Sequence, residues 1–156
     1  MTRRRWPTRA KTLPSSASPS CKTDSLDLRP SNGLVRSNNR WPEGYPWFAI
    51  VHPDDDQLLG QVGLNVNVRH VSAEGHCWVK ASDRRRGVAS GVLGLVADWG
   101  FSNGIPRLFL GIHPENVASN RLAEKMGFTR EGVLRSYEPV KDRRPDLVSW
   151  SLLPNT

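Results

Sequence analysis

The chain has 156 residues and a formal net charge of +7, from 22 lysines and arginines against 15 aspartates and glutamates. Its length suits one domain that can bury a core of its own. No apolar run is long enough to cross a membrane, and the two cysteines, Cys21 and Cys77, are too few for a disulfide framework. These features argue against a membrane-spanning or disulfide-rich secreted protein and predict a cytoplasmic protein with reduced thiols.

Residues 1–46 differ in composition from the rest of the chain. They carry 9 basic against 3 acidic residues, a charge of +6, whereas residues 47–156 carry 13 against 12, a charge of +1. The first region is also rich in proline and serine, poor in apolar residues and without a sustained helical or alternating pattern. Such a segment buries too little surface to offset the entropy lost on ordering it. We therefore expect a mostly disordered basic tail over 1–46 and one folded domain over 47–154.

Three strands are predicted at the start of the folded domain. The first is the apolar run Trp47–Val51, and the aspartates that follow it, at 54–56, are typical of a solvated loop rather than a metal site. The second strand, residues 59–68, alternates between apolar and polar positions. Its apolar residues on one face are Val62, Leu64, Val66 and Val68. The third strand covers residues 76–80.

The rest of the domain alternates helices with strands, which predicts an α/β fold around one sheet. The first helix has apolar residues at three- and four-residue steps and stops at Gly104. The second begins at Asn116, a suitable N-cap, and Gly127 ends it. The predicted elements are a helix over 88–102, a strand over 108–112, the helix from Asn116 to Gly127, and strands over 129–134 and 146–153.

The turn between the third strand and the first helix is rich in arginine and small residues. It contains Arg84, Arg85, Arg86, Gly87, Val88, Ala89 and Ser90. The first N–H groups of a helix lack intrahelical acceptors and, together with the helix dipole, favour an anion. Small residues let a ligand approach the backbone closely, and arginines add positive charge. The turn therefore predicts a phosphate or pyrophosphate site, although a solvated basic turn fits the same residues.

A second motif follows the strand over 108–112. It begins Asn116-Val117-Ala118-Ser119 and ends Glu124-Lys125-Met126-Gly127-Phe128. Together with the pattern Arg84-x-x-Gly87-x-Ala89, it resembles the GNAT superfamily of N-acetyltransferases, specifically the RimJ/RimL-like branch. The resemblance covers residues 47–154 and implies a mixed, largely antiparallel central sheet flanked by helices. Members of the family begin with a strand and two helices, and no such elements are identified within 1–46.

The resemblance implies an acetyl-CoA site and assigns residues to it. The turn over 84–90 would hold the pyrophosphate, and backbone groups of the preceding strand would hold the pantetheine arm. These strand residues are Cys77, Trp78 and Val79, whose side chains are equally suited to a core strand. Asn116 and Ser119 would reach the CoA arm, or would only cap their helix.

Proton transfer is assigned by the same resemblance. Many members of the family have a tyrosine as general acid where this chain has Ala123, so similarity to the RimJ/RimL-like branch makes Ser119 the proton donor. A carboxylate at the position of Glu138 would act as the base, unless Glu138 is only a surface residue of a hairpin loop. Tyr137 is the alternative proton donor. No metal is expected, because the four histidines show no ligand spacing with cysteines or carboxylates.

The function predicted from the sequence is transfer of an acetyl group from acetyl-CoA to a primary amine by direct attack in a ternary complex. The acceptor is either the N-terminus of a protein, such as a ribosomal protein, or a small molecule. Two alternatives remain: a GNAT-fold CoA-binding protein whose basic tail binds RNA, the ribosome or another polyanion, and a defective or truncated acetyltransferase. The sequence leaves open whether the chain forms a homodimer.

Overall fold

The computed structural model describes residues 34–37 and 46–154 of the chain. These residues form a seven-stranded sheet and two α-helices, so the predicted α/β architecture is confirmed. The elements in chain order are β1 (Leu34–Ser37), β2 (Trp47–Val51), β3 (Leu58–Asn67), β4 (Ser72–Val79), α1 (Val88–Ser102), β5 (Arg107–Ile112), α2 (Val117–Lys125), β6 (Thr129–Leu134) and β7 (Leu147–Leu152). A short 3-10 turn, Ala81–Asp83, leads from β4 towards α1.

The sheet is antiparallel except at its centre. Its strand order is β1-β2-β3-β4-β5-β7-β6, and within the described chain β4 and β5 are the one parallel pair. Alternate residues of β5 face the same side of the sheet. On that side Leu108 packs with α1, and Leu110 and Ile112 pack with α2. Both helices therefore cover the same face of the sheet. The mixed, largely antiparallel sheet implied by the family resemblance is confirmed.

The hydrophobic core lies between that sheet face and the helices. Val88, Val92 and Val96 of α1 are buried against Val62 and Leu64 of β3. Burying an aliphatic side chain of this size stabilises a fold by roughly 1.5–3 kcal/mol relative to leaving it exposed. The bounds predicted for α1 from its apolar spacing agree with those observed.

The structure adds one strand that the sequence analysis does not predict, β1 at Leu34–Ser37. It pairs antiparallel with β2, from Leu34 opposite Val51 to Ser37 opposite Phe48. These 4 residues lie inside the region expected to be mostly disordered, and an edge strand so short shows no recognisable alternation in the sequence. The rest of that expectation, over 1–33 and 38–45, falls outside the described residues.

The turn between β3 and β4 comes earlier than the sequence analysis predicts. The side-chain oxygen of Asn67 accepts hydrogen bonds from the N–H groups of Arg69 and His70, both at 3.1 Å, so the strand ends there. Val68 consequently lies in the turn and is 82% exposed, whereas Val62 is fully buried. The prediction that Val62 and Val68 share one face of the same strand is wrong for Val68, because the strand ends at Asn67.

A polar cluster joins β5, β6 and β7 at the end of the sheet where β5 begins. Arg107 Nη2 lies 2.6 Å from Oε2 of Glu131, and the Ser151 hydroxyl donates to Oε1 of the same carboxylate at 2.8 Å. The bond from Arg107, with that from Ser151, holds the pKa of Glu131 below its usual value.

Glu131→Gln is expected to lower the urea midpoint at neutral pH and to have little effect in acid. A carboxylate whose folded pKa is depressed contributes stability above its unfolded pKa, and the contribution disappears as pH falls through the folded value. Urea unfolding of both proteins between neutral pH and about pH 3 measures this change, with Glu124→Gln on the exposed side of α2 as the control. A midpoint difference that is constant across this range would contradict the assignment.

Candidate active site

The two parallel strands at the centre of the sheet separate before they end. Their pairing runs from Ser72 to Glu74 on β4 and stops there, although β4 continues to Val79 and β5 to Ile112. Beyond Glu74, the edges that face each other across the gap have no ladder partner in the described sheet. Strand edges offer N–H and C=O groups that must find partners. An extended ligand with amide groups can bind such an edge as an added strand does.

The three residues assigned to the pantetheine arm lie on the separated part of β4. Val79 is buried, whereas Trp78 is 47% exposed and its indole N–H donates to Oε1 of Gln61 at 3.3 Å. Although Cys77 is exposed as a whole residue, desolvation of its thiol raises the pKa to about 11. The thiol is therefore neutral at physiological pH and a weak nucleophile.

The start of α1 presents N–H groups that no side chain caps. Gly87 is the N-cap, with a left-handed φ of 81° that favours glycine. The first backbone bond of the helix runs from Gly91 N to Gly87 O at 3.0 Å. The preceding N–H groups, those of Val88, Ala89 and Ser90, therefore have no intrahelical acceptor. With the dipole of a 15-residue helix behind them, these N–H groups are suited to bind an anion.

The three arginines of the turn have different partners. Arg84 Nε donates to the carbonyl oxygen of Val79 at 3.0 Å and so ties the turn to the end of β4. Arg86 pairs with Asp83 at 3.2 Å, which offsets part of its charge. Arg85, at a φ of 63°, makes no hydrogen bond or ion pair with the rest of the described chain. Arg85 is therefore the arginine of the turn that is most available to a phosphate.

A cavity of about 430 Å³ lies beside this turn. It opens between the β2–β3 hairpin and the start of α1, and its lining includes His52, Asp54, Asp83 and Arg86. Two carboxylates make it poorly suited to a polyanion. The uncapped helix start is therefore better suited to a polyanion than this cavity is.

The start of α2 contains the Asn-x-x-Ser motif. Oδ1 of Asn116 accepts a hydrogen bond from the N–H of Ser119 at 3.1 Å, so the capping role given as the alternative for Asn116 is observed. Asn120 donates to the carbonyl oxygens of His113 and Asn116 and accepts from the indole N–H of Trp150. The hydroxyl of Ser119 is half-buried and has no hydrogen-bond partner among the described residues. It thus stays available to a ligand.

The loop between β6 and β7 is held by its own polar side chains. Nε and Nη2 of Arg144 donate to the carbonyl oxygens of Ser136 and Tyr137, at 3.2 and 3.1 Å. Oδ1 of Asp146 accepts from the N–H of Ser136 at 2.8 Å. The Tyr137 side chain is exposed, so the loop holds its backbone and leaves the phenol in solvent.

This loop brings Glu138 to two histidines that the sequence analysis does not single out. Oε1 of Glu138 lies 3.7 Å from Nε2 of His113, at the end of β5. A hydrogen bond to Glu74, opposed by partial burial and aided by the charge of Glu138, raises the pKa of His76. The sequence does contain a signal for this pair. Glu74 and His76 are two positions apart in a strand, so their side chains lie on the same face.

The candidate site residues meet at one end of the sheet. β6 runs antiparallel to β7, which runs antiparallel to β5, so β4, β5 and β6 all point the same way. The segments that follow them are the turn over 84–90, the start of α2 with Ser119, and the loop with Tyr137 and Glu138. Residues predicted from separate stretches of sequence therefore lie at the end of the sheet where β4 and β5 separate.

Neither a cluster of metal ligands nor a membrane-spanning helix is found in the part of the chain that the structure describes. Over residues 34–37 and 46–154, no group of three or more histidine, cysteine, aspartate or glutamate side chains is arranged to hold a metal ion. Over the same ranges, no helix has the length and apolar character needed to cross a membrane.

Comparison with known proteins finds a family match over most of the chain. The model of the acetyltransferase (GNAT) domain matches residues 7–129. YoaA of Bacillus subtilis strain 168, an uncharacterized N-acetyltransferase, is 38% identical over 96 residues, which are 60% of this chain and 54% of YoaA. The uncharacterized N-acetyltransferase p20 of Bacillus licheniformis is 31% identical over 108 residues, which are 68% of this chain and 61% of p20. The chain thus spans less than two thirds of the length of either relative.

Solved structures match the fold. A spermidine N-acetyltransferase from Vibrio cholerae gives a TM-score of 0.65 at 24% identity, over 71% of this chain and 66% of that chain. A GNAT-family acetyltransferase from Bacillus anthracis gives 0.65 at 22% identity, over 69% and 66%. The family match begins at residue 7 and so includes part of the region that the sequence analysis places outside the domain.

Proposed function

Because the chain belongs to the GNAT acetyltransferase family, we propose that it is a cytoplasmic N-acetyltransferase of the RimJ/RimL-like branch that transfers an acetyl group from acetyl-CoA to a primary amine. The acceptor is a protein N-terminus or a small-molecule amine. The observation that carries the proposal is the gap between β4 and β5, which opens beyond Glu74 beside the uncapped start of α1. The described residues and the comparisons offer no support for the alternative of a polyanion-binding protein.

The residues around the gap fit acetyl-CoA. The N–H groups of Val88, Ala89 and Ser90, with Arg85, would hold the pyrophosphate. The free edge of β4 over 75–79 would hold the amide groups of the pantetheine arm. At the mouth of the gap, Gly75 lets Leu110 of β5 pack against the backbone of β4, since a Cβ there would lie 2.9 Å from a methyl carbon of that leucine.

The chemistry at the gap is an acyl transfer. Bound acetyl-CoA supplies a thioester: the amine nitrogen forms the new C–N bond, the C–S bond breaks, and the leaving thiolate takes up a proton. The neutral thiol of Cys77 favours direct attack by the amine over an acetyl-cysteine intermediate. We propose the Ser119 hydroxyl as the proton donor, with Tyr137 as the alternative. Glu138 is the proton acceptor that the family resemblance implies.

Ser119→Ala is expected to lower kcat on the order of 100-fold while leaving acetyl-CoA affinity nearly unchanged. A hydroxyl that stabilises the thiolate only as it forms contributes to the transition state and little to the ground state. Release of free thiol, followed at saturating acetyl-CoA, measures kcat, and titration calorimetry measures affinity. Ser119→Thr, which keeps the hydroxyl, is the control and should retain most of the activity. An unchanged kcat in Ser119→Ala would transfer the role to Tyr137 or to water.

The proposed function is tested on the full chain in two steps. Titration calorimetry with acetyl-CoA is expected to show saturable binding at one site. A thiol-release screen over small amines and peptides with free N-termini then identifies the acceptor class. The absence of acetyl-CoA binding would overturn the proposal, because every later step depends on it.

A further inference from the structure

His76 lies on the face of the sheet that the described helices leave open. Ala73 and Val79 of β4 face the helical core, so the alternating residues Glu74, His76 and Trp78 face the other way. His76 comes two positions after the last β4 residue that pairs with β5, and its side chain is 37% exposed. It therefore sits at the mouth of the gap and is accessible from solvent.

The imidazole of His76 is held by an indole. The rings of Trp47 and His76 stack at 20°, with 5.6 Å between their centroids. Gly63 lies between them on β3, opposite Trp47 on one side and His76 on the other. A Cβ at Gly63 would lie 2.6 Å from Cδ2 of the indole, so the absence of a side chain there lets the indole lie across the strand.

One ring nitrogen of His76 is occupied, and the other is free. Nε2 lies 3.5 Å from Oε2 of Glu74 and 2.9 Å from Nδ2 of Asn65. Glu74 can only accept, so it holds a proton on Nε2. We therefore assign the Asn65 amide to the orientation rotated by 180°, in which its oxygen accepts from the same N–H. Nδ1 makes no hydrogen bond within the described residues. Neutral His76 therefore carries its proton on Nε2 and its lone pair on Nδ1.

The charges that face His76 are negative. They come from Glu74 on the same strand and from Glu138 on the β6–β7 loop, and Glu138 also approaches His113. The remaining neighbours, Trp47 and Asn65, are neutral. Carboxylates next to an exposed aromatic surface suit a positively charged ammonium group.

From this geometry we infer that His76 is the catalytic residue that removes a proton from the acceptor's ammonium group through Nδ1, with Glu74 as its positioning residue. The inference rests on the proposed N-acetyltransferase function. The proton passes from the ammonium nitrogen to Nδ1, and the amine keeps the electron pair of the broken N–H bond. The imidazolium retains its other proton on Nε2 beside Glu74 and releases the new one to solvent after the product leaves. Glu138 binds the ammonium and does not deprotonate it.

The arrangement is tested first in the free protein by NMR titration of the histidine side chains. We expect the wild-type His76 ring to have a pKa above 6.5 and, once neutral, to carry its proton on Nε2. Glu74→Gln should lower that pKa, because the carboxylate that stabilises the imidazolium is lost. His70→Gln, in the β3–β4 turn, is the control and should leave the His76 titration unchanged. A neutral ring protonated on Nδ1 would overturn the inference.

The second test is the pH dependence of kcat/KM with an amine found by the thiol-release screen. In the wild type, kcat/KM should rise with pH to a midpoint above 6.5, since only neutral His76 accepts a proton. His76→Gln should lose this ascending limb and, at neutral pH, on the order of 100-fold in kcat/KM. Glu74→Gln should keep the limb but move its midpoint to lower pH, a change that a merely structural role would not produce.

The outcomes separate this inference from its rival and from the proposed function. Loss of the limb in Glu138→Gln, together with its survival in His76→Gln, would overturn the inference and make Glu138 the base. Failure of the wild-type protein to bind acetyl-CoA would contradict the proposed function itself. The NMR titration would still decide on the Glu74–His76 pair, because it uses neither cofactor nor acceptor.

Discussion

Replacing Gly87 with glutamate is expected to weaken acetyl-CoA binding on the order of 100-fold. Gly87 is the N-cap of α1, directly before the uncapped N–H groups proposed to hold the pyrophosphate. A carboxylate there competes for these groups and repels the ligand. Two like charges about 5 Å apart cost roughly 3 kcal/mol at an effective dielectric constant of about 20, and this cost corresponds to a factor on the order of 100 in Kd. Titration calorimetry measures the change.

Gly87→Gln is the matched control for this experiment. Both variants place a long side chain on a residue with a φ of 81°, which costs roughly 1–2 kcal/mol of strain, so their thermal midpoints should fall together. Only the glutamate adds a negative charge, and the glutamine variant should therefore retain most of its affinity. Equal affinities in the two variants would show that the pyrophosphate does not bind at this helix start.

Gly60→Ala is expected to destabilise the protein by about 3 kcal/mol or more, at the upper end of the range for overpacking. Gly60 pairs with Val79, at the end of β4 where the turn begins. A Cβ at this position would lie 2.1 Å from the carbonyl oxygen of Trp78 and 3.0 Å from Cα of Val79. Both are backbone atoms, which cannot rotate aside as a side chain can. The strands must therefore separate locally, and urea unfolding measures the cost.

Gly132→Ala is the corresponding control on another strand. Gly132 lies on β6, and a Cβ there would meet no atom within 4 Å. Its free energy of unfolding should stay within about 0.5 kcal/mol of the wild type. If Gly60→Ala and Gly132→Ala changed the free energy of unfolding equally little, the close approach of β3 and β4 beside the turn would be contradicted.

Local patterns were sufficient to predict most of the elements that position the site. The apolar spacing that begins at Val88 predicts α1, because burial of one helix face imposes that period. The glycines that end both helices, Gly104 and Gly127, adopt left-handed φ values of 82° and 85°. The same patterns could not predict β1, since four edge residues carry no detectable period and depend on pairing with β2.

The sequence by itself determined the strand-to-helix turn at Gly87 and the capped helix start at Asn116, because each depends on neighbours within a few positions. Only the tertiary structure decided that Glu138 lies beside His113 and close enough to His76 for its charge to raise the pKa of that histidine. That proximity depends on β7 pairing with both β5 and β6 and on a loop held by Arg144. A periodic pattern specifies which face of a strand a side chain occupies, whereas long-range pairing of strands specifies which other side chains it meets.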